Sequence, residues 1–227
     1  MTATTQLILF DIDGTLIRGR GLGRASTKAA MLEVFGTFGL VDTHHFGGKT
    51  DWQILTELLI DAGYTAPQIG EHLIAYEAAL TKAMLERIDT FEMEVLPGAM
   101  ESVLALRDHP DMVLGLVTGN VAATAHLKLQ KAGFDPAWFP IGAYGSESAE
   151  RNDLPPLALQ RAIQYTGYNL QPQQVTVIGD TENDIACAQA LGARSIAVLT
   201  GFAEREALEA MQPDILLDDL TQLLAVI

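Results

Sequence analysis

The sequence predicts an α/β fold: a parallel sheet covered by helices on both faces, with a purely helical segment inserted after the first strand. Three observations carry this. Short apolar runs recur as continuous blocks, not as alternating patterns, which marks strands buried on both faces. Helical stretches separate these runs, so strand and helix alternate. Residues 18–93 break that rhythm and read as helices alone.

The first block is Leu-Ile-Leu-Phe at residues 7–10, which runs directly into Asp11-Ile12-Asp13-Gly14. Residues 25–35, 51–62 and 67–87 read as the inserted helices, and the chain returns to the sheet near Val95. After Pro97, a helix is predicted over residues 98–107 and a strand over residues 112–118, MVLGLVT. The next helix, residues 121–132, is stopped by Gly133. Residues 140–145 give a weaker strand, 155–165 a helix, 175–180 a strand, and 182–191 a helix ended by Gly192. Strands at residues 195–200 and 214–219 flank a last helix at 204–211. The expected division is an α/β core of residues 1–17 and 94–227, and a helical insert of residues 18–93.

A chain of 227 residues with 48% hydrophobic and 19% charged residues can bury a substantial core. No apolar run is long enough to span a membrane. No basic residue precedes the first apolar run, so a signal peptide is not expected, and the cytoplasm is the expected location. The single cysteine, Cys187, excludes an internal disulfide and an all-cysteine metal site; its apolar neighbours predict a buried, inert thiol. The net charge of −15, without a basic stripe, argues against nucleic acid as partner. An anionic substrate remains compatible if a metal ion or a placed cation meets it.

In open parallel sheets, ligands bind beyond the carboxyl ends of the strands. Asp11 and Asp13 lie at such an end. A turn would also use Asp and Gly, but Ile12 between the acids indicates chain that is still packed. Gly-Asp-Thr-Glu-Asn-Asp at residues 179–184 closes another buried strand, placing Asp180 at its end and Asp184 where a helix begins. An acid in a first helical turn is favoured by the helix dipole, so Asp184 has a structural reading as well. Buried strands ending in carboxylates repel unless a cation lies between them, and hard oxygen ligands suit Mg²⁺. A third strand ends in Val-Thr-Gly-Asn at residues 117–120. Thr118 offers a hydroxyl there, and Gly119 and Asn120 offer amides at a helix start, which can bind an anion or simply cap the helix.

Asp-Ile-Asp-Gly-Thr at residues 11–15, Thr118, and the segment at residues 179–184 together resemble, in order and in strand placement, motifs one, two and four of the haloacid dehalogenase-like (HAD) hydrolase superfamily. The resemblance covers nearly the whole chain. It implies a Rossmann-like core, and the insert resembles the helical cap of the phosphoglycolate phosphatase-like branch. Motif three departs: that family usually has a lysine there, often followed by prolines, and this chain has no lysine after Lys131. Arg151, with Pro155 and Pro156 following, is the replacement expected; arginine binds phosphate bidentately and stays charged. Arg161 and Arg205 read as surface charges, and Arg194 as a turn residue. The implied chemistry is hydrolysis of a phosphomonoester. Asp11 is the nucleophile and Asp13 the general acid and base. Thr118, Gly119, Asn120 and Arg151 bind the phosphoryl oxygens. The resemblance implies Mg²⁺ held by Asp11, the Asp13 carbonyl and Asp180, with Asp184 acting directly or through water.

Substrate choice is expected from the insert. In His44-His45-Phe46-Gly47-Gly48-Lys49-Thr50-Asp51, Lys49 is a candidate contact for a substrate anion, while Thr50 and Gln53 form a capping-box pattern. The two histidines read as a solvated loop. The glycine spacing of GRGLGR at residues 19–24 does not match a dinucleotide loop, and Arg18, Arg20 and Arg24 either steer an anion or solubilise a loop. The partner expected is a small phosphorylated molecule, with monomer and homodimer both open. A sugar-phosphate mutase using the same aspartyl-phosphate, and a non-catalytic phosphoryl- or metal-binding relative, are the alternative readings.

Overall fold

The chain is described by a computed structural model covering residues 5–227. The expectations for residues 1–4, as part of the core and not of a signal peptide, lie outside the described residues. The strands are β1 (Gln6–Phe10), β2 (Ile17–Gly19), β3 (Met93–Val95), β4 (Met112–Thr118), β5 (Ile141–Tyr144), β6 (Val175–Gly179), β7 (Arg194–Val198) and β8 (Ile215–Leu217). The helices are α1 (Leu22–Phe35), α2 (Asp51–Ile60), α3 (Ala66–Leu85), α4 (Ala99–Arg107), α5 (Ala122–Lys131), α6 (Leu154–Thr166), α7 (Glu182–Leu191) and α8 (Arg205–Ala210).

Six strands form one parallel sheet in the order β5-β4-β1-β6-β7-β8. The continuous apolar run of β1 is explained by its position at the centre. Leu7 and Leu9 pack on one face with Val175, Val177, Leu154 and Ala158. Ile8 and Phe10 pack on the other with Leu114, Leu116, Val103 and Leu129. Both faces are covered, so neither side of the strand has polar residues. Local signals set the helix ends. Thr50 caps α2 by accepting a hydrogen bond from the Gln53 amide at 3.0 Å. Gly167 and Gly192 take the left-handed conformation that ends α6 and α7.

The strand order puts β1 between β4 and β6, so the ends of all three point into one region. Strand order reverses beside β1, which is where such sheets bind ligands. Helices α1, α2 and α3 bury a separate apolar cluster, including Met31, Leu55, Leu58, Leu59, Tyr76 and Leu80, to which Val121 of the sheet-bearing part contributes.

The segment read as wholly helical carries a short antiparallel ribbon: β2 pairs with β3, Ile17 opposite Val95 and Gly19 opposite Met93. Three residues per strand are too few to leave a legible pattern. The ribbon ties together the two points at which the chain leaves and re-enters the sheet region. Arg194 begins β7 rather than standing in a turn. His44 is not freely solvated: its Nε2 lies 3.0 Å from Glu57 Oε2 and its ring packs edge-on against Phe46.

Candidate active site

β1 delivers Asp11 to the sheet's edge, where it is 6% exposed. The backbone then turns. Gly14 has φ 94°, and a side chain there would lie 2.4 Å from the Asp180 carboxylate, so only glycine fits. β6 delivers Asp180, which is fully buried and accepts a hydrogen bond from the Phe202 amide at 2.8 Å. Asp184 lies in the first turn of α7. It caps that helix through Thr181, whose amide and hydroxyl reach Asp184 Oδ2 at 3.1 and 2.6 Å. The capping role and a site role coexist in this residue. Asp11, Asp180 and Asp184 each offer an oxygen within 4.8 Å of the others.

Three buried carboxylates this close are electrostatically costly. Burial pushes the Asp11 carboxyl up to about 7, although Arg151 opposes the shift. Asp180 rises well above the usual carboxylate range, chiefly through burial and then through the charges of Asp184 and Asp11. The one cation among them is Arg151, itself 6% exposed. Its Nη2 lies 3.1 Å from Asp11 Oδ1 and hydrogen-bonds Asp184 Oδ1, while its buried Nε has no partner. Hard carboxylate oxygens in a converging, under-neutralised set fit a divalent cation such as Mg²⁺.

Thr118 ends β4, fully buried, and Asn120 follows. The Asn120 side-chain amide donates to Thr118 Oγ1 at 2.8 Å and to Asp13 Oδ2 at 2.7 Å. Gly119 is hemmed in: an added Cβ would lie 2.0 Å from the Lys49 carbonyl oxygen. There the helical segment meets the sheet. The Asp51 amide donates to the Gly119 carbonyl at 2.7 Å, the Trp52 amide to the Gly145 carbonyl at 3.1 Å, and the Val121 amide to Asp51 Oδ2 at 2.9 Å. Arg151 Nη1 reaches the Gly48 carbonyl at 3.3 Å.

A cavity of about 190 Å³ lies between these parts, lined by Asp11, Asp13, Thr118, Gly119, Asn120 and Arg151 from the sheet side. Lys49, Asp51, Arg24 and Phe46 line it from the helical side. The geometry thus brings Asp11, Asp180, Asp184 and Arg151 into one cluster, with Asp13, Thr118 and Asn120 joined beside it. Lys49 faces the cavity, but its ammonium is held by Glu57 at 2.5 Å. Arg24 donates to the carbonyls of Val41 and His44 and stacks on Phe46, 4.4 Å from the ring centre. Cys187 is buried, and burial pushes its thiol up to about 12, an inert state.

Two cavity residues escape the sequence reading. Asp51 reads there as a helix start only. Its carboxyl is half-buried and raised to about 6, mainly by desolvation. Lys128 lies unremarked within the helix expected over residues 121–132, yet it is 4% exposed and its Nζ donates to Asp13 Oδ2 at 2.6 Å. The signal that finds it is spacing: Lys128 falls on the buried stripe of Val121, Thr124, Ala125 and Leu129, where α5 calls for apolar residues.

Comparison with known proteins agrees with this geometry. A family model described as HAD-hydrolase-like matches residues 151–223. The chain is 25% identical over 223 residues to a phosphoglycolate phosphatase of Vibrio vulnificus, covering 98% of this chain and 96% of that one. It is 26% identical over 232 residues to the pyrophosphatase PpaX of Bacillus pumilus, covering 99% and 97%. In fold it is similar to a hydrolase from Pseudomonas syringae, with a TM-score of 0.72 at 21% identity over 98% and 97% of the two chains. In its strand-end acids, its sheet order and the match over residues 151–223, the chain is similar to the HAD-like hydrolases.

Proposed function

We propose that this protein hydrolyses the phosphomonoester of a small metabolite, with Mg²⁺, through an aspartyl-phosphate on Asp11. One observation carries the reading. Asp11 is buried at the centre of the acid cluster, paired with Arg151, and opens onto the same cavity as a second acid, Asp13. A phosphatase needs both: a nucleophile that cannot wander and an acid beside it for the leaving oxygen.

Asp11 attacks phosphorus. Asp13 gives its proton to the departing oxygen and later takes one from the water that cleaves the aspartyl-phosphate. Thr118, Gly119, Asn120 and Arg151 receive the phosphoryl oxygens, and the guanidinium stabilises charge that builds in the transition state. Asp11, Asp180 and Asp184, with the Asp13 carbonyl, would hold Mg²⁺, which when bound supplies charge neutralisation for the phosphoryl group. Residues 18–93 act as a cap over a core of residues 1–17 and 94–227 and exclude water from the site. Lys49 meets a substrate anion only by leaving Glu57. The cavity volume favours a small leaving group. Among the described residues no helix is long and apolar enough to cross a membrane.

The test is phosphate release from a panel of small phosphomonoesters, with and without Mg²⁺, for the wild type and Asp11→Asn. Metal-dependent release that falls by about 10⁴-fold or more in the variant is the expected outcome. Folded wild-type protein that releases phosphate from nothing in the panel would overturn the reading. Conversion of a sugar phosphate to its isomer without release would indicate a mutase.

A further inference from the structure

Lys128 has no part in the chemistry above, yet a buried ammonium is retained only where it is paired. Its Nζ donates to Asp13 Oδ2 at 2.6 Å and to Asn120 Oδ1 at 2.7 Å. Asn120 Nδ2 donates to the same Asp13 Oδ2 at 2.7 Å and to Thr118 Oγ1 at 2.8 Å. Lysine, asparagine and aspartate therefore close a ring that Thr118 anchors to the end of β4. Within it, Asp13 Oδ2 takes two donors. Oδ1 accepts no hydrogen bond among the described residues, and Asp13 lines the cavity.

We propose that Lys128 is the positioning residue for Asp13: with Asn120 it fixes the rotation of the carboxyl group, so that Oδ1 faces the oxygen leaving phosphorus. The proposal rests on the phosphomonoesterase reading. The terminal torsion of an aspartate is broad, so a carboxyl without tethers spends much of its time aimed elsewhere, and misplacement of a catalytic group by about 1 Å can cost about 10²-fold. In the step concerned, the bond from Asp11 to phosphorus forms while the ester P–O bond breaks. The proton on Asp13 Oδ1 passes to the ester oxygen, which departs as an alcohol. Lys128 exchanges no bond. It holds Oδ2 throughout, and the same hold serves when Oδ1 later takes a proton from water.

The leaving group separates aiming from general damage. An alkyl phosphate needs the proton; p-nitrophenyl phosphate, whose phenolate leaves readily, scarcely does. Because kcat/KM covers events only up to formation of the aspartyl-phosphate, it isolates the step. The experiment compares kcat/KM of wild type and Lys128→Met on p-nitrophenyl phosphate and on the best alkyl phosphate of the panel. The alkyl ester is expected to lose about 10²-fold and the nitrophenyl ester less than about 5-fold. Equal losses on the two esters would overturn the assignment and reduce Lys128 to a structural cation. Lys128→Gln, which stays polar but is one bond shorter, carries the same comparison if Lys128→Met does not fold. A wild type inactive on both esters fails earlier, at the phosphomonoesterase reading, and takes the assignment with it.

Discussion

The acids on the two sides of the cavity are neutralised differently. On the side toward β6, Asp11, Asp180 and Asp184 share a single guanidinium, that of Arg151. On the side toward α5, Asp13 is bonded by the Lys128 ammonium, whose field also reaches Asp51. The first cluster carries surplus negative charge in a buried place, and burial drives the Asp11 and Asp180 carboxyls upward. The second is balanced. A surplus held at one point of a folded core calls for a further cation; a balanced pair calls for a fixed orientation. The same residue type thus does two kinds of work at positions two apart in the chain.

Removing the one cation on the surplus side is the sharpest way to break this contrast. Arg151→Ala is expected to lower kcat/KM by about 10²- to 10³-fold on every ester of the panel alike, since it touches the phosphoryl group and not the leaving group. An activity within a few-fold of wild type would remove Arg151 from the phosphate site.

The next effect is on stability. Burial raises the Asp11 carboxyl from its ordinary 3.8 to about 7, so between these the folded state binds more protons than the unfolded one. The contribution of this group to the stability of the metal-free protein is therefore full at low pH and is lost as pH rises toward 7, by on the order of 4 kcal/mol. Mg²⁺ that occupies the cluster reverses the loss. Thermal melting with and without Mg²⁺ should show a stabilisation at pH 8 that shrinks by pH 5. A shift independent of pH would mean that the ion binds elsewhere.

The smallest effect concerns Asp51, on the helical side. Its carboxyl is raised to about 6, so it too costs stability as pH rises through roughly 4 to 6. Asp51→Asn keeps an oxygen for the Val121 amide and removes the charge. It should raise the melting temperature by several degrees at pH 7 and leave it unchanged at pH 4. A loss at both would show that the charge itself is needed to hold Val121.

How much of this the chain discloses depends on whether a residue obeys or violates its local pattern. Asp11 and Asp180 are legible because each interrupts a fully apolar strand. Asp184 is half legible: its place in a first helical turn has a sufficient local reason, which hides any other. Arg151 stands out only once the resemblance calls for a cation after β5, and then as the arginine followed by prolines that mark a helix start. Lys128 violates its pattern as plainly as Asp11 does, but lysines are common on helices and the eye assigns them to solvent; only the stripe position betrays it. Asp51 obeys its local pattern completely, and nothing short of its place in space distinguishes it. The ribbon of β2 and β3 is invisible because three residues hold no period.

Gly119 and Gly145 lie where the helical segment rests on the sheet. A Cβ on Gly145 would lie 1.8 Å from the Gly119 carbonyl oxygen, as one on Gly119 would crowd the Lys49 carbonyl. The bare hydrogen of Gly119 is thus what lets the Lys49 carbonyl lie directly on the end of β4. A methyl there would act as a doorstop, holding the helical segment off the sheet. One at Gly145 would press first on Gly119 itself, and so would shift the loop proposed to receive the phosphoryl group before it lifted anything above it.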